Sequence, residues 1–140
     1  MSSPKAFQFP YVVGLHDTDA ADYLFSANLT RICHIAYEAM MAALGYPLGM
    51  LLKRREFALP VVHIEGDFKQ RSTVGDELII SAWISRLGNS SYTMSYELRN
   101  PAGELCATAS SVHVCVDWKH DKSMPLPAAL RDALSRHTEA

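Results

Sequence analysis

The sequence predicts an α+β fold, an antiparallel five-stranded sheet wrapped around a long central helix. Three observations predict it. Apolar residues recur with helical spacing in only one long stretch, Leu29–Leu44. Segments of two-residue alternation separated by turn residues fill the chain from Leu59 to Trp118, and one more extended segment precedes the helix. A sheet that long has one apolar face to cover and only one long helix to cover it, so the simplest arrangement curls the sheet around the helix.

FQFPYVVGL, from Phe7, is the first strand, with Pro10 near its start or at a sheet edge, where a missing N–H is tolerated. HDTDAADYLFSA, from His16, is too polar and too small in its side chains for a strand and forms a loop. In the helix, Leu29, Ile32, Cys33, Ala36, Met40, Ala43 and Leu44 fit a period of 3.6. Ala36, Ala39, Ala42 and Ala43 make it narrow and strongly helix-forming. Asn28 or Ser26 is expected to cap its start. Gly45 suits the position just past its end, and Pro47 prevents continuation. LGMLLKRREF, from Leu48, reads as a shorter helical connector.

From Leu59 the period becomes two. LPVVHIEGDFKQ sets Val62, Ile64 and Phe68 against Val61, His63, Glu65 and Asp67, with a bulge expected at Gly66. ELIISAWISRL, from Glu77, puts Leu78, Ile80, Ala82 and Ile84 on one face. SYTMSYELR, from Ser91, does the same with Tyr92, Met94, Tyr96 and Leu98. LCATASSVHVCVDW, from Leu105, is the last long strand, with Val112, Val114 and Val116 expected to share its buried face. STVGDE, GNSS and NPAGE are turns, so these four strands are expected to neighbour one another antiparallel in chain order. Pro127 opens a short terminal helix. The edges of such a sheet predict pairing with a second copy, as a homodimer or homotetramer.

With 140 residues, the chain is expected to form one domain over 1–140. A net charge of -2 argues against nucleic acid or an anionic membrane as partner. No run approaches the roughly 18 apolar residues of a membrane span, and the N-terminal residues lack the apolar core of a secretory signal. Cys33, Cys106 and Cys115 are odd in number and form no CxxC, which points to buried thiols in a reducing cytoplasm. The histidines show no HxH or HExxH spacing, so no metal site is expected.

The loop before the helix reads Asp17-Thr18-Asp19-Ala20-Ala21-Asp22-Tyr23-Leu24-Phe25-Ser26-Ala27-Asn28-Leu29. With ICHIAYEAM from Ile32, LPVVHIEGDF from Leu59, GDELII from Gly75, RLGNSSY from Arg86 and VHVCVD from Val112, it resembles the 4-hydroxybenzoyl-CoA thioesterase family of the hot-dog fold. The pieces look most like the branch that hydrolyses 1,4-dihydroxy-2-naphthoyl-CoA on the way to phylloquinone or menaquinone. Two departures stand out: Asp22 occupies a glycine position, and Arg71 replaces a proline common after DF.

The resemblance implies an acyl-CoA thioesterase with no cofactor, coenzyme A being part of its substrate. Asp19 is then the nucleophile or general base, and the backbone N–H of Ser26 polarises the thioester carbonyl. The chemistry fits the pattern: a helix mouth bares backbone N–H groups for an oxyanion, and the loop before it places a carboxylate nearby. Without the family pattern, Asp19 reads equally as an Asx turn. Phe25, His34 and His63 are implied at the acyl group and thioester channel. Arg86, Ser90 and Ser91 are implied beside the nucleotide, with Lys69, Arg71, Lys53, Arg54, Arg55, Lys119 and Lys122 as further cations for phosphate. Asp17 and Asn28 read as braces of the loop, and His113 as structural or interfacial. The alternatives are a thioesterase for other aryl or short-chain acyl-CoA, an acyl-thioester hydratase or dehydratase using His34 and Glu38, and a non-catalytic acyl-CoA-binding module.

Overall fold

The computed structural model describes residues 5–24 and 26–139. Strand β1 (Phe7–Val12) leads through a short 3-10 turn (Leu15–Asp17) and the polar loop into helix α1 (Ser26–Ala43). Helix α2 (Leu48–Arg54) and strands β2 (Val61–Phe68), β3 (Glu77–Leu87), β4 (Ser91–Arg99) and β5 (Leu105–Val114) follow. A small hairpin, β6 (Val116–Asp117) and β7 (Lys122–Ser123), precedes helix α3 (Ala128–Ser135). The five long strands form one antiparallel sheet, as the pattern of one helix and five strands predicts, and their order is β1-β3-β4-β5-β2.

Helix α1 fills the concave face. It buries Leu29, Ile32, Cys33, Ala36, Tyr37, Met40 and Met41. Opposite lie Leu78, Ile80, Ala82 and Ile84 of β3, Tyr92, Met94, Tyr96 and Leu98 of β4, and Ala107 and Ala109 of β5. Fully burying one such large side chain is worth about 1.5–3 kcal/mol. The buried stripe is broader on one side than predicted: Tyr37 and Met41, each four residues on from Cys33 and Tyr37 respectively, belong to it, whereas Ala43 is exposed. The helix ends as its sequence requires. Gly45 takes φ +93°, its N–H donates to Ala42 O at 3.1 Å, and Tyr46 N–H donates to Met41 O at 2.8 Å, a Schellman closure. At the start, Ser26 is already helical and the Asn28 side chain reaches back to the loop, so neither is the cap the spacing suggested.

Three strand expectations need correction. First, β2 is not beside β3. Both sides of β3 are taken by β1 and β4, so residues 69–76 cross the end of the sheet and β2 pairs with β5. Second, Gly66 is no bulge; the irregularity in β2 falls between Val61 and His63. Gly66 instead leaves room for a side chain of α1, since a Cβ there would lie 2.9 Å from Leu29 Cδ2 and 3.3 Å from Thr108 O. Third, the long strand breaks at Cys115, and Val112 and Val114 face outward, while Ala107, Ala109, Ser111 and His113 are buried. Cysteine burial holds for all three thiols. Desolvation pushes the Cys33 thiol up to about 12, so it is inert.

The two sheet edges differ. Beyond Phe7, the C-terminal segment takes over the β1 edge: Ile84 N–H donates to His137 O at 2.8 Å and Glu139 N–H to Ile84 O at 2.9 Å. All eight residues of β2 are exposed, including Val62 (60%), Ile64 (45%) and Phe68 (40%). No single helix among the described residues is long and apolar enough to cross a membrane.

Candidate active site

Asp19 sits in a tight loop closed by the backbone bridge between Thr18 and Leu24. Its N–H donates to Tyr23 O at 3.1 Å, and Asp22 N–H donates to Asp19 O at 3.0 Å. The carboxylate accepts from Ala21 N–H through Oδ1 at 2.8 Å, an Asx turn, and the residue is exposed. That bond occupies one lone pair of one oxygen, so the Asx turn and a reactive carboxylate are compatible. Asp22 lies at the tip with φ +70°, a left-handed backbone state that favours glycine, the residue the family pattern implies there.

The loop is held from two directions. On one side the 69–76 crossover grips it: Leu24 N–H donates to Ser72 O at 2.7 Å, Thr73 Oγ1 to Asp22 O at 2.6 Å, and the Arg71 guanidinium lies 4.8 Å from the Tyr23 ring centroid. On the other side stands Asp17, fully buried, whose Oδ2 accepts from the Tyr11 hydroxyl at 2.7 Å and Gly14 N–H at 2.9 Å, while Oδ1 pairs with Arg31. Burial and the Asp17 carboxylate raise the Tyr11 hydroxyl pKa, keeping it a donor. Asn28 Nδ2 donates to Asp17 O at 3.1 Å, so the brace expected of Asp17 and Asn28 is present. Arg31 and Tyr11, its other members, escaped the sequence reading; the only clue to Arg31 was its place three residues after Asn28.

Ser26 is the first residue of α1, and its N–H is among those that have no partner within a helix. Phe25 lies outside the described residues. His34 is two turns further along, about 12 Å up the axis. It borders a cavity of ≈ 460 Å³ walled by Tyr37, Leu51, Phe57, Leu59 and Trp118. The Arg55 guanidinium lies 5.2 Å from the Trp118 ring centroid, and Trp118 Nε1 donates to Phe57 O at 3.0 Å, which fixes that wall.

Behind Tyr37 the core is polar, and one buried side-chain atom in it, His113 Nδ1, is left without a hydrogen bond of good geometry. The Tyr37 and Tyr92 hydroxyls are 2.5 Å apart, and His113 stacks on both rings at 4.3 and 5.1 Å. His113 Nε2 meets Ser111 Oγ at 2.8 Å, and Ser111 Oγ meets Tyr96 OH at 3.1 Å. Burial lowers the His113 pKa to about 4, against the opposing pull of the Leu59 carbonyl, so the ring is neutral. His113 is therefore structural, the half of its expected role that a buried position allows.

The other named residues spread out. His34 Nε2 lies 4.0 Å from Glu38 Oε1, and His63 Nε2 lies 3.3 Å from Glu65 Oε1 on exposed β2. Arg86 is exposed where β3 ends. Ser90 closes the β3–β4 turn and Ser91 opens β4; Arg131 ties this turn to α3 through Gly88 O and Asn89 O. Cys115 N–H donates to Ser90 O at 2.8 Å and Val114 N–H to Pro60 O at 3.1 Å, so this turn shares the cavity's end of the sheet. The Asp19 loop lies at the opposite end, beside the starts of β3 and β5 and the finish of β2. One chain thus brings His34, Leu59 and the β3–β4 turn towards one end and Asp19 and Ser26 to the other.

The chain belongs to the thioesterase-like superfamily, the hydrolases of the hot-dog fold; the family's sequence model matches residues 13–134. It is 37% identical over 129 residues to a 1,4-dihydroxy-2-naphthoyl-CoA hydrolase of Synechococcus elongatus, covering 91% of this chain and 94% of that one. A protein of the same name from Trichodesmium erythraeum is 34% identical over 113 residues, covering 79% and 82%. Among solved structures, a 1,4-dihydroxy-2-naphthoyl-CoA thioesterase from Synechocystis superposes with a TM-score of 0.88 at 29% identity, covering 93% of this chain and 96% of that one.

Proposed function

We propose that the protein hydrolyses 1,4-dihydroxy-2-naphthoyl-CoA to the free aromatic acid and coenzyme A, within the 4-hydroxybenzoyl-CoA thioesterase branch of its superfamily and in a quinone pathway of the cytoplasm. The observation that carries this reading is an exposed carboxylate, Asp19, in the loop that opens α1, in a chain so similar to hydrolases of that name. Asp19 either takes a proton from the attacking water, or attacks the thioester carbon itself to give a mixed anhydride that water cleaves after the thiol has left, restoring the carboxylate. The oxygen that becomes negative rests against the Ser26 N–H at the positive end of α1. The carbon–sulfur bond then breaks, and the coenzyme leaves as a thiol after protonation. No cofactor is needed. The apolar cavity beside His34 suits a flat aromatic acyl group, and His34 offers one polar contact to its hydroxyls.

The reading requires a second copy. Two β2 strands pairing antiparallel about a two-fold axis would set Val61 of one copy near Phe68 of the other. That places the Asp19 end of one protomer against the cavity end of its partner and covers the apolar edge. The site is then shared, and the protein is a homodimer or a pair of dimers.

The test is release of free thiol from a panel of purified thioesters. The proposal expects 1,4-dihydroxy-2-naphthoyl-CoA to exceed benzoyl-CoA, phenylacetyl-CoA and butyryl-CoA in kcat/KM by at least about tenfold, the worth of one well-placed polar contact. Equal rates across the panel would remove the aromatic assignment, and tight binding without turnover would leave a binding module.

A further inference from the structure

The most buried carboxyl group of the loop is not the one assigned to the chemistry. Asp17 is 0% exposed, yet it is two residues from Asp19. Its carboxylate meets Tyr11, Gly14 and Arg31, and His16 Nε2 at 3.5 Å. Arg31 also donates from Nε to Asn28 Oδ1 at 3.3 Å, and Asn28 donates to Asp17 O at 3.1 Å and His16 O at 3.5 Å. Arg31 and Asn28, nearly one turn apart on α1, therefore grip residues 16 and 17 through two side chains that also bond each other. The Arg31 side chain keeps 42% of its surface exposed, and an ion pair open to solvent on one side returns little net stability. A loop that had only to be covered would not need one. What a charged, multiply bonded clamp supplies is a fixed distance between the loop and the helix that it precedes.

We infer that the Arg31–Asp17–Asn28 clamp sets the Asp19 carboxylate against the amides that open α1, and that Arg31 is a positioning residue of the reaction. This rests on the reading of Asp19 as the reacting carboxylate. Arg31 touches no substrate in this scheme. Its guanidinium holds Asp17, Asp17 holds the strand-to-loop corner at Gly14, and the Thr18–Leu24 bridge then fixes where Asp19 begins.

The experiment is a double-mutant cycle on the full chain with 1,4-dihydroxy-2-naphthoyl-CoA, each variant assayed below its own melting temperature. Arg31→Ala is expected to lower kcat about 10- to 100-fold, the scale of a misplacement of about 1 Å, with KM within about threefold. Arg31→Lys, which keeps the charge but cannot serve both Asp17 and Asn28, is expected to fall between that variant and the parent. In an Asp19→Asn background, Arg31→Ala is expected to cost less than about twofold more, because residues acting through one group are not additive. Parent-like kcat in Arg31→Ala, or the same fold loss in both backgrounds, overturns the clamp as a positioning device. Parent-like activity of Asp19→Asn alone overturns the reading beneath it instead. Should Arg31→Ala fail to fold, the cycle is run with Tyr11→Phe, which removes one hydroxyl from Asp17 and carries the same expectation of non-additivity.

Discussion

Asp22 pays for its position at the tip of the loop, since a left-handed backbone costs an L-residue roughly 1–2 kcal/mol and a β-branched one more. Asp22→Val is therefore expected to lower stability by about 1–2 kcal/mol in urea unfolding, while Asp22→Gly leaves it equal or slightly higher. His113 gives a second residue-scale prediction. Its pKa falls from 6.5 in the unfolded chain to about 4 in the fold. The unfolded state therefore binds a proton first as pH drops. Stability from this group is complete above pH 6.5, drains away between 6.5 and 4, and changes no further below. The loss is about 3 kcal/mol. His113→Phe, which keeps a ring between Tyr37 and Tyr92, is expected to lack that part of the acid loss when unfolding is followed from pH 7.5 to 4. At this scale the loop's brace was legible, since Asp17 and Asn28 read as its holders and Asn28 Nδ2 donates to Asp17 O. The buried ring stack was not: Ser111 and His113 interrupt an otherwise apolar alternation, and the ring partners Tyr37 and Tyr92 lie 76 and 21 residues from His113, in two different elements. Arg31 was hidden for the same reason, its partner Asp17 being 14 residues away.

Periodicity exposed the elements themselves almost to their ends. The β4 stretch SYTMSYELR coincides with the observed strand, and Gly45 and Pro47 stop α1 where they should. What it could not expose was neighbourhood. A turn-like sequence between β2 and β3 looks the same whether it folds back or crosses the sheet, and only the crossover's bonds to Val13, Asp22 and Leu24 decide the matter. The valines of β5 misled because β-branched residues suit either face of a sheet, while small residues were required where α1 packs close. Gly66 belongs to that requirement. Gly66→Ala drives a methyl against Leu29 and the Thr108 carbonyl, so it is expected to cost about 1–3 kcal/mol, measured by chemical denaturation.

For the molecule as a whole, the proposed second copy would cover the open β2 edge and bring Asp19 of one protomer to the cavity of the other. Ile64→Lys places a charge on that edge and is expected to shift the sedimentation-equilibrium mass towards the monomer while lowering kcat in proportion. A shared site also predicts complementation. Mixing Asp19→Asn protomers with protomers whose cavity is blocked by Leu59→Trp, after dissociation and reassembly, should recover activity that neither parent shows, since half the sites of a mixed dimer unite an intact Asp19 with an intact cavity. The proposed chemistry turns on Asp19. The asparagine variant keeps an oxygen for the Ala21 N–H, so the loop closes and the melting temperature should hold within a few degrees. Single-turnover hydrolysis of 1,4-dihydroxy-2-naphthoyl-CoA by Asp19→Asn is predicted to be slower than the parent by about a thousandfold or more; a folded, dimeric Asp19→Asn protein that cleaves the thioester at the parent rate would contradict the account.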